Sequence, residues 1–171
     1  MTTPPASEVT ALFADLATRF GMSRAAGACL GTIWRAAQAP SADDLCTALG
    51  LSRSNVSVAL KELRQAGLVQ VARAPGTRRD FYVADPNPWA LLRAAIADRH
   101  RREIAPLTER LTTLAAAEAD RPDADPRLAA LADMAAVAED WFGKQMRRDA
   151  NEFAQFLGAD KAEKKKKKRG K

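Results

Sequence analysis

The chain has little of what chemistry needs. Among its 171 residues are one histidine and two cysteines, and aromatic side chains make up 6%. A catalytic triad, a glycine-rich phosphate loop and a paired-cysteine metal pattern are all missing, so neither an enzyme nor a cofactor or metal is expected. His100 sits in Arg99-His100-Arg101-Arg102, where neighbouring positive charge suits a solvated helix face. Asp98 with Arg102 and Arg99 with Glu103 are i, i+4 pairs that fit such a face. Cys29 and Cys46 are too few for a disulfide framework, and their 17-residue spacing matches no common zinc site. Both are expected to pack as small apolar residues. No stretch approaches the ~20 apolar residues that span a bilayer. Met1-Thr2-Thr3-Pro4-Pro5 lacks the basic and apolar regions of a signal peptide, so the expectation is a cytoplasmic chain without a membrane partner.

What is present is helix-forming alanine, leucine and arginine, and a net charge of +6 that is unevenly placed. Residues 1–40 and 41–86 carry +1 each, residues 87–160 carry −3, and residues 161–171 carry +7. The basic character therefore belongs mainly to the terminal run Lys164 to Lys168 with Arg169 and Lys171. A run of like charges with nothing to bury is expected to be disordered, and it can hold a protein near nucleic acid by releasing counterions without reading sequence. A solubilising terminus is the plainer alternative.

Residues 41–84 are the informative stretch. Ser41 precedes Ala42-Asp43-Asp44, a start in which the hydroxyl can cap a free backbone N–H and the carboxylates sit at the positive helix end. Leu45, Ala48 and Leu49 give that short helix an apolar stripe, Gly50 supplies a left-handed stop, and Leu51 can plug the turn. Ser52 caps a second helix in which Val56, Ala59, Leu60 and Leu63 recur at inward-facing positions, and Gly67 ends it. Leu68 to Val71 and Phe81 to Val83 read as extended segments around the turn formers Ala74-Pro75-Gly76-Thr77. Helix, turn, helix and hairpin in this order describe a winged helix-turn-helix.

The outer face of the second helix has the chemistry of a DNA reader. Ser54, Ser57, Val58 and Lys61 point outward, with Arg53 and Arg64 on the flanks. Short hydroxyls permit close approach, Lys61 can meet phosphate or guanine, and Val58 can touch a thymine methyl. Asn55 sits to one side, where a backbone or phosphate contact is as natural as an adenine contact. Arg73, Thr77, Arg78 and Arg79 in or beside the hairpin tip would lie near the adjacent backbone or minor groove and add affinity.

Three stretches then carry a family resemblance: Gly21-Met22-Ser23-Arg24-Ala25-Ala26-Gly27-Ala28-Cys29-Leu30-Gly31, Leu49-Gly50-Leu51-Ser52-Arg53-Ser54-Asn55-Val56-Ser57, and Gly76-Thr77-Arg78-Arg79 with Tyr82. With Arg102 to Leu107 matching more weakly, the chain resembles the GbsR-type branch of the MarR-like bacterial transcriptional regulators over roughly residues 8 to 115. The resemblance implies a dimeric DNA-binding regulator, with Ser52, Ser54, Asn55 and Ser57 at DNA-contacting positions. It implies no particular effector.

The flanks complete the expected architecture. Ser7 to Phe20 reads as a helix with Val9, Leu12, Phe13 and Leu16 on its apolar side and Gly21 as its stop. Ser23 to Ala37 reads as another, with Leu30, Ile33 and Trp34 packing on the headpiece. Asn87 and Pro88 open a helix carrying Leu92 and Ile96, then Ile104, Leu107, Leu111 and Leu114 at a spacing that suits a two-helix seam, with Pro106 kinking or splitting it. After a polar loop at residues 121–126, one last helix is expected to Leu157, with Leu128, Leu131, Met134, Val137 and Trp141 as its stripe and Phe142, Phe153 and Phe156 adding bulk later. Trp34, Trp89, Trp141 and Phe142 could line a groove for a small-molecule effector, though packing explains them more simply.

The expected fold is thus mainly α with a small β-hairpin wing: a winged helix-turn-helix at 1–86, long helical dimerisation elements at 87–160, and a basic tail at 161–171. The expected function is sequence-specific transcription regulation, a homodimeric repressor binding a short inverted repeat in double-stranded DNA through residues 52–66 with wing contacts. Two recognition helices on half-sites one turn apart would lie about 34–36 Å from each other. The alternatives are a winged-helix protein-interaction module and a protein that coats DNA without reading it.

Overall fold

The first helix, α1 (Ala6–Arg19), is stopped by Gly21 at φ +73°. Ser23 then caps α2 (Arg24–Arg35), its hydroxyl accepting the Ala26 N–H at 3.1 Å. These helices approach closely because α2 presents glycine where they cross: a Cβ on Gly27 would lie 2.4 Å from the Phe13 carbonyl oxygen, and one on Gly31 2.9 Å from Phe13 Cβ. That crossing corrects the expected inner face of α1. Ala14 and Ala17 are buried there, whereas Leu12 and Leu16 are exposed, because close helix approach selects the smallest side chains rather than the most apolar ones. This computed structural model describes residues 6–73, 76, 78–119 and 121–159. Met1 to Pro5, Ala74, Pro75, Thr77, Asp120 and residues 160–171, which include the expected basic tail, lie outside the described residues.

Ser41 opens α3 (Ala42–Leu49) with a full capping box. Asp44 Oδ2 accepts from the Ser41 N–H and hydroxyl at 2.8 Å each, and Ser41 Oγ accepts the Asp44 N–H at 3.3 Å. Gly50 ends it in the left-handed region at φ +64°. Ser52 accepts the Asn55 N–H at 3.3 Å and starts α4 (Arg53–Gln65). Val56, Ala59, Leu60 and Leu63 are all buried, in one core with Leu45, Cys29, Ile33 and Met22.

The expected first strand begins too early. The Leu68 N–H reaches back to the Leu63 carbonyl at 2.9 Å with Gly67 at φ +71°, a helix closure that turns Leu68 and Val69 under the helix as buried core residues. The ladder therefore starts at β1 (Gln70–Arg73) and pairs antiparallel with β2 (Asp80–Val83), from Gln70 opposite Val83 to Arg73 opposite Asp80. The base of this wing is tied to the start of α3. The Tyr82 N–H donates to the Pro40 carbonyl at 2.9 Å, and Ser41 bridges Phe81.

Asn87 caps α5 (Pro88–Arg99), accepting the Trp89 N–H at 3.0 Å. The break expected at Pro106 takes the form of a π turn over His100–Ile104, closed by the Ala105 N–H on the His100 carbonyl, before α6 (Ala105–Ala119) continues. Proline has no N–H for the carbonyl four residues back and its ring crowds that carbonyl, so widening the turn in front of it relieves both problems. Asp125 then caps α7 (Pro126–Met146).

The single last helix expected to Leu157 is two. Asp149 and Glu152 form a capping box that starts α8 (Ala150–Phe156). Asp149-x-x-Glu152 is legible in the sequence as a helix start. The continuous run of helix formers hides it.

The chain divides into two compact units, Met1–Ile96 and Ala97–Lys171. In the second, α6 packs on α7 with Ala115 and Ala132 buried, while Ile104, Leu107, Leu114, Leu131, Met134, Val137 and Trp141 remain exposed. His100 is not the solvated residue expected. Its side chain is 18% exposed, Nε2 lies 3.0 Å from Glu139 Oε1, and the ring stacks on Phe142 at 3.8 Å. The π turn and an acceptor on α7 give this histidine a place that its arginine neighbours do not foreshadow. The expected Asp98–Arg102 and Arg99–Glu103 pairs form at 2.8 Å each. No described helix is long and apolar enough to cross a membrane.

Candidate nucleic-acid interface

The outward face of α4 is built by what its inward face buries. With Val56, Ala59, Leu60 and Leu63 locked in the core, helical periodicity turns Ser54, Ser57, Val58 and Lys61 to solvent. All four are exposed, and Val58 is 66% so. An exposed β-branched side chain among short hydroxyls gains nothing from water, which suits it to an apolar contact such as a thymine methyl.

The cations sort into engaged and available groups. Arg53 Nη1 lies 3.2 Å from Asp43 Oδ1, joining α4 to α3, and Arg73 Nε lies 3.4 Å from Asp80 Oδ1 across the hairpin. Arg79 contributes positive charge near Asp44, whose carboxyl is held below the usual range first by hydrogen bonds from the Ser41 N–H and hydroxyl and only lastly by that charge. Lys61, Arg64 and Arg78 are exposed and form no ion pair among the described residues. Tyr82, half-buried at the wing base, has its phenol pushed upward by burial and Asp80, partly offset by Arg64. The sequence marks Asp43 only as a helix-start carboxylate and does not mark Asp80 at all, since only the folded turn and hairpin bring them to their arginines.

The N-terminal half of α4 is also ordered by hydroxyls. Ser52 and Ser54 Oγ lie 3.0 Å apart, and Ser52 caps the Asn55 backbone. The Asn55 side chain is exposed and available. At the other half, Glu62 turns away from the outward face and accepts from the Ser23 N–H at 2.9 Å and the Ser23 hydroxyl at 2.6 Å. Thr77 falls outside the described residues.

The remaining candidates have structural partners. Cys29 is fully buried, and desolvation followed by the nearby Cys46 pushes its thiol up to about 11. Cys46 is half-buried and free. Three of the four rings considered for an effector groove pack on another ring: Trp34 against Phe13 at 5.5 Å, Trp141 against Phe156 at 5.9 Å, and Phe142 on His100. No group of three or more potential metal ligands occurs among the described residues.

Residues 20–80 match the model of the MarR family. Among solved structures, the fold is similar to that of a transcriptional regulator with a TM-score of 0.65 and 24% identity, over 84% of this chain and 96% of that one. A MarR family transcription regulator matches at a TM-score of 0.40 and 22% identity, over 81% of this chain and 83% of that one. A transcriptional regulator from Thermotoga maritima matches at 0.41 and 19%, over 80% and 91%. Neither of these two scores is high enough to bear on the fold. No curated protein matches the chain. The MarR-family match thus lies over the capped helix-turn-helix and its wing, and the fold is similar to that of a solved transcriptional regulator.

Proposed function

We propose that the chain acts as a cytoplasmic homodimeric repressor, of the GbsR-type branch, that reads a short inverted repeat through α4 and steadies itself with the wing. The observation that carries this reading is the exposed face Ser54, Ser57, Val58 and Lys61 on a helix whose opposite face is core. Base discrimination comes from that face and from Asn55. Ser52, Arg53, Arg64, Arg73, Thr77, Arg78 and Arg79 supply backbone contacts and orientation. Exposed apolar rows on α6 and α7, with Leu12 and Leu16 on α1, support a second copy as the covering surface. A homodimer pairs naturally with a palindromic site because the two-fold axis of the protein is matched by that of the DNA.

The test is fluorescence anisotropy at near-physiological salt, with the full chain and a chain ending at Asp160. Each is titrated against DNA from upstream of its own gene, against duplexes selected by the full chain from randomised DNA, and against scrambled duplexes. Preference of about tenfold or more that survives removal of the tail supports a sequence-reading headpiece. Binding that disappears with the tail, or that never distinguishes sequences, supports the coating or protein-interaction readings instead.

A further inference from the structure

We infer that Glu62, through its paired hydrogen bonds to Ser23, sets the fine rotational phase of α4 and so how accurately its outward side chains meet the bases. This rests on the DNA-reading function proposed above and adds a positioning residue that does not itself touch DNA.

The core contacts of α4 fix its depth in the headpiece, but apolar packing is non-directional and constrains roll about the helix axis less than it constrains burial. Directional restraints to other elements are seen near both ends of the helix. Near the N-terminus, Arg53 pairs with Asp43, but both side chains are largely exposed, at 80% and 51%, so the pair is weak. Near the C-terminus, one Glu62 carboxylate oxygen takes the Ser23 N–H at 2.9 Å and the other takes the Ser23 hydroxyl at 2.6 Å. These are charge-assisted bonds in two directions from one group.

Their other end is well anchored. Ser23 Oγ accepts the Ala26 N–H as the cap of α2, and Met22 beside it is buried in the core. The carboxylate also sits at the first turn of α2, where negative charge is favoured. A chain of bonds thus runs from the α2 backbone through Ser23 to Glu62, the residue next to Lys61 and one turn beyond Val58.

The geometry makes phase matter. Side-chain tips lie about 6 Å from a helix axis, so a roll of roughly 20° moves them about 2 Å, far beyond the ~0.5 Å tolerance of a binding constellation. Phosphate contacts by long, flexible cations absorb such a shift. Base contacts by Ser54, Ser57 and Val58 do not.

The test uses full-length protein and two duplexes, one selected by the wild-type chain from randomised DNA and one scrambled. Anisotropy is read at a temperature where every variant is folded by circular dichroism. Glu62→Ala is expected to lower the selected-to-scrambled affinity ratio about tenfold, the scale of one lost base contact, with little change on scrambled DNA. Glu62→Gln restores most of the ratio, because its amide can accept the Ser23 N–H and donate to Ser23 Oγ. Ile33→Val, which loosens the core without touching Ser23 or Glu62, leaves the ratio unchanged. An unchanged ratio in Glu62→Ala, or equal losses in Glu62→Gln and Ile33→Val, overturns the assignment while leaving the DNA reading intact. A wild-type chain that shows no preference removes the DNA reading itself.

Discussion

Lys61 and Arg78 are both exposed cations without an ion-pair partner among the described residues, yet they lie on different elements and should fail differently. Lys61→Ala, like Ser57→Ala, is expected to reduce discrimination between selected and scrambled duplexes, each by the roughly 1–3 kcal/mol that a base contact is worth at most. Arg78→Ala should weaken both duplexes alike and flatten the salt dependence by about one phosphate contact. Arg79→Ala should do so less, because Asp44 already offsets part of that charge. Equal losses on both duplexes for all four variants in anisotropy titrations would refute this division.

Two titrating groups give further residue-scale expectations. With its thiol near 11, Cys29 is about one part in a thousand thiolate at pH 8, so a thiol reagent should modify Cys46 first and Cys29 only on unfolding. Comparable rates at both sites in the native protein would contradict this. Asp44 has a folded pKa below its ordinary value of 3.8. A depressed acid stabilises the fold above its unfolded pKa, and that contribution is lost as pH falls through the lower folded value. An NMR titration should therefore place the Asp44 midpoint below 3.8, and Ser41→Ala should move it upward. A midpoint that does not respond to Ser41→Ala would show that the cap is not its cause.

At the scale of elements, close crossings and caps decide where helices sit and stop. Gly27→Ala places a Cβ against the α1 backbone, which cannot retreat as a side-chain tip would. It should cost about 1–3 kcal/mol or more by denaturant unfolding. Asp149→Ala removes the α8 cap for about 1 kcal/mol. If Gly27→Ala proved the milder change, the crossing would be looser than described. Caps were the most legible part of the chain: Ser41, Ser52, Asn87, Gly50 and Gly67 all act locally as their residue types dictate. Strand starts were less so, because Leu68 and Val69 have β-forming character but are drawn into the core by the helix closure before them.

For the whole molecule, the exposed rows on α6 and α7 predict a homodimer. Sedimentation of the full chain should give twice the 18.5 kDa protomer mass, and Leu107→Glu with Val137→Glu should shift it toward the protomer. A monomeric wild-type chain at micromolar concentration would mean these rows await a different partner. Residues 161–171 hold +7 of the +6 net charge, the rest of the chain summing to −1. Removing them should lower affinity for any DNA more than it lowers preference.

The order of elements through α5, the caps of the motif helices, and the inward stripe and outward face of the second motif helix were determined by the sequence itself, because each depends on contacts within a few residues. Asp43 on Arg53, Asp80 on Arg73, Glu62 on Ser23, His100 on Glu139 and the alanine face of α1 were decided only by the tertiary structure. Their partners lie elsewhere in the fold. Periodicity can say which way a side chain points, but not what the fold brings to meet it.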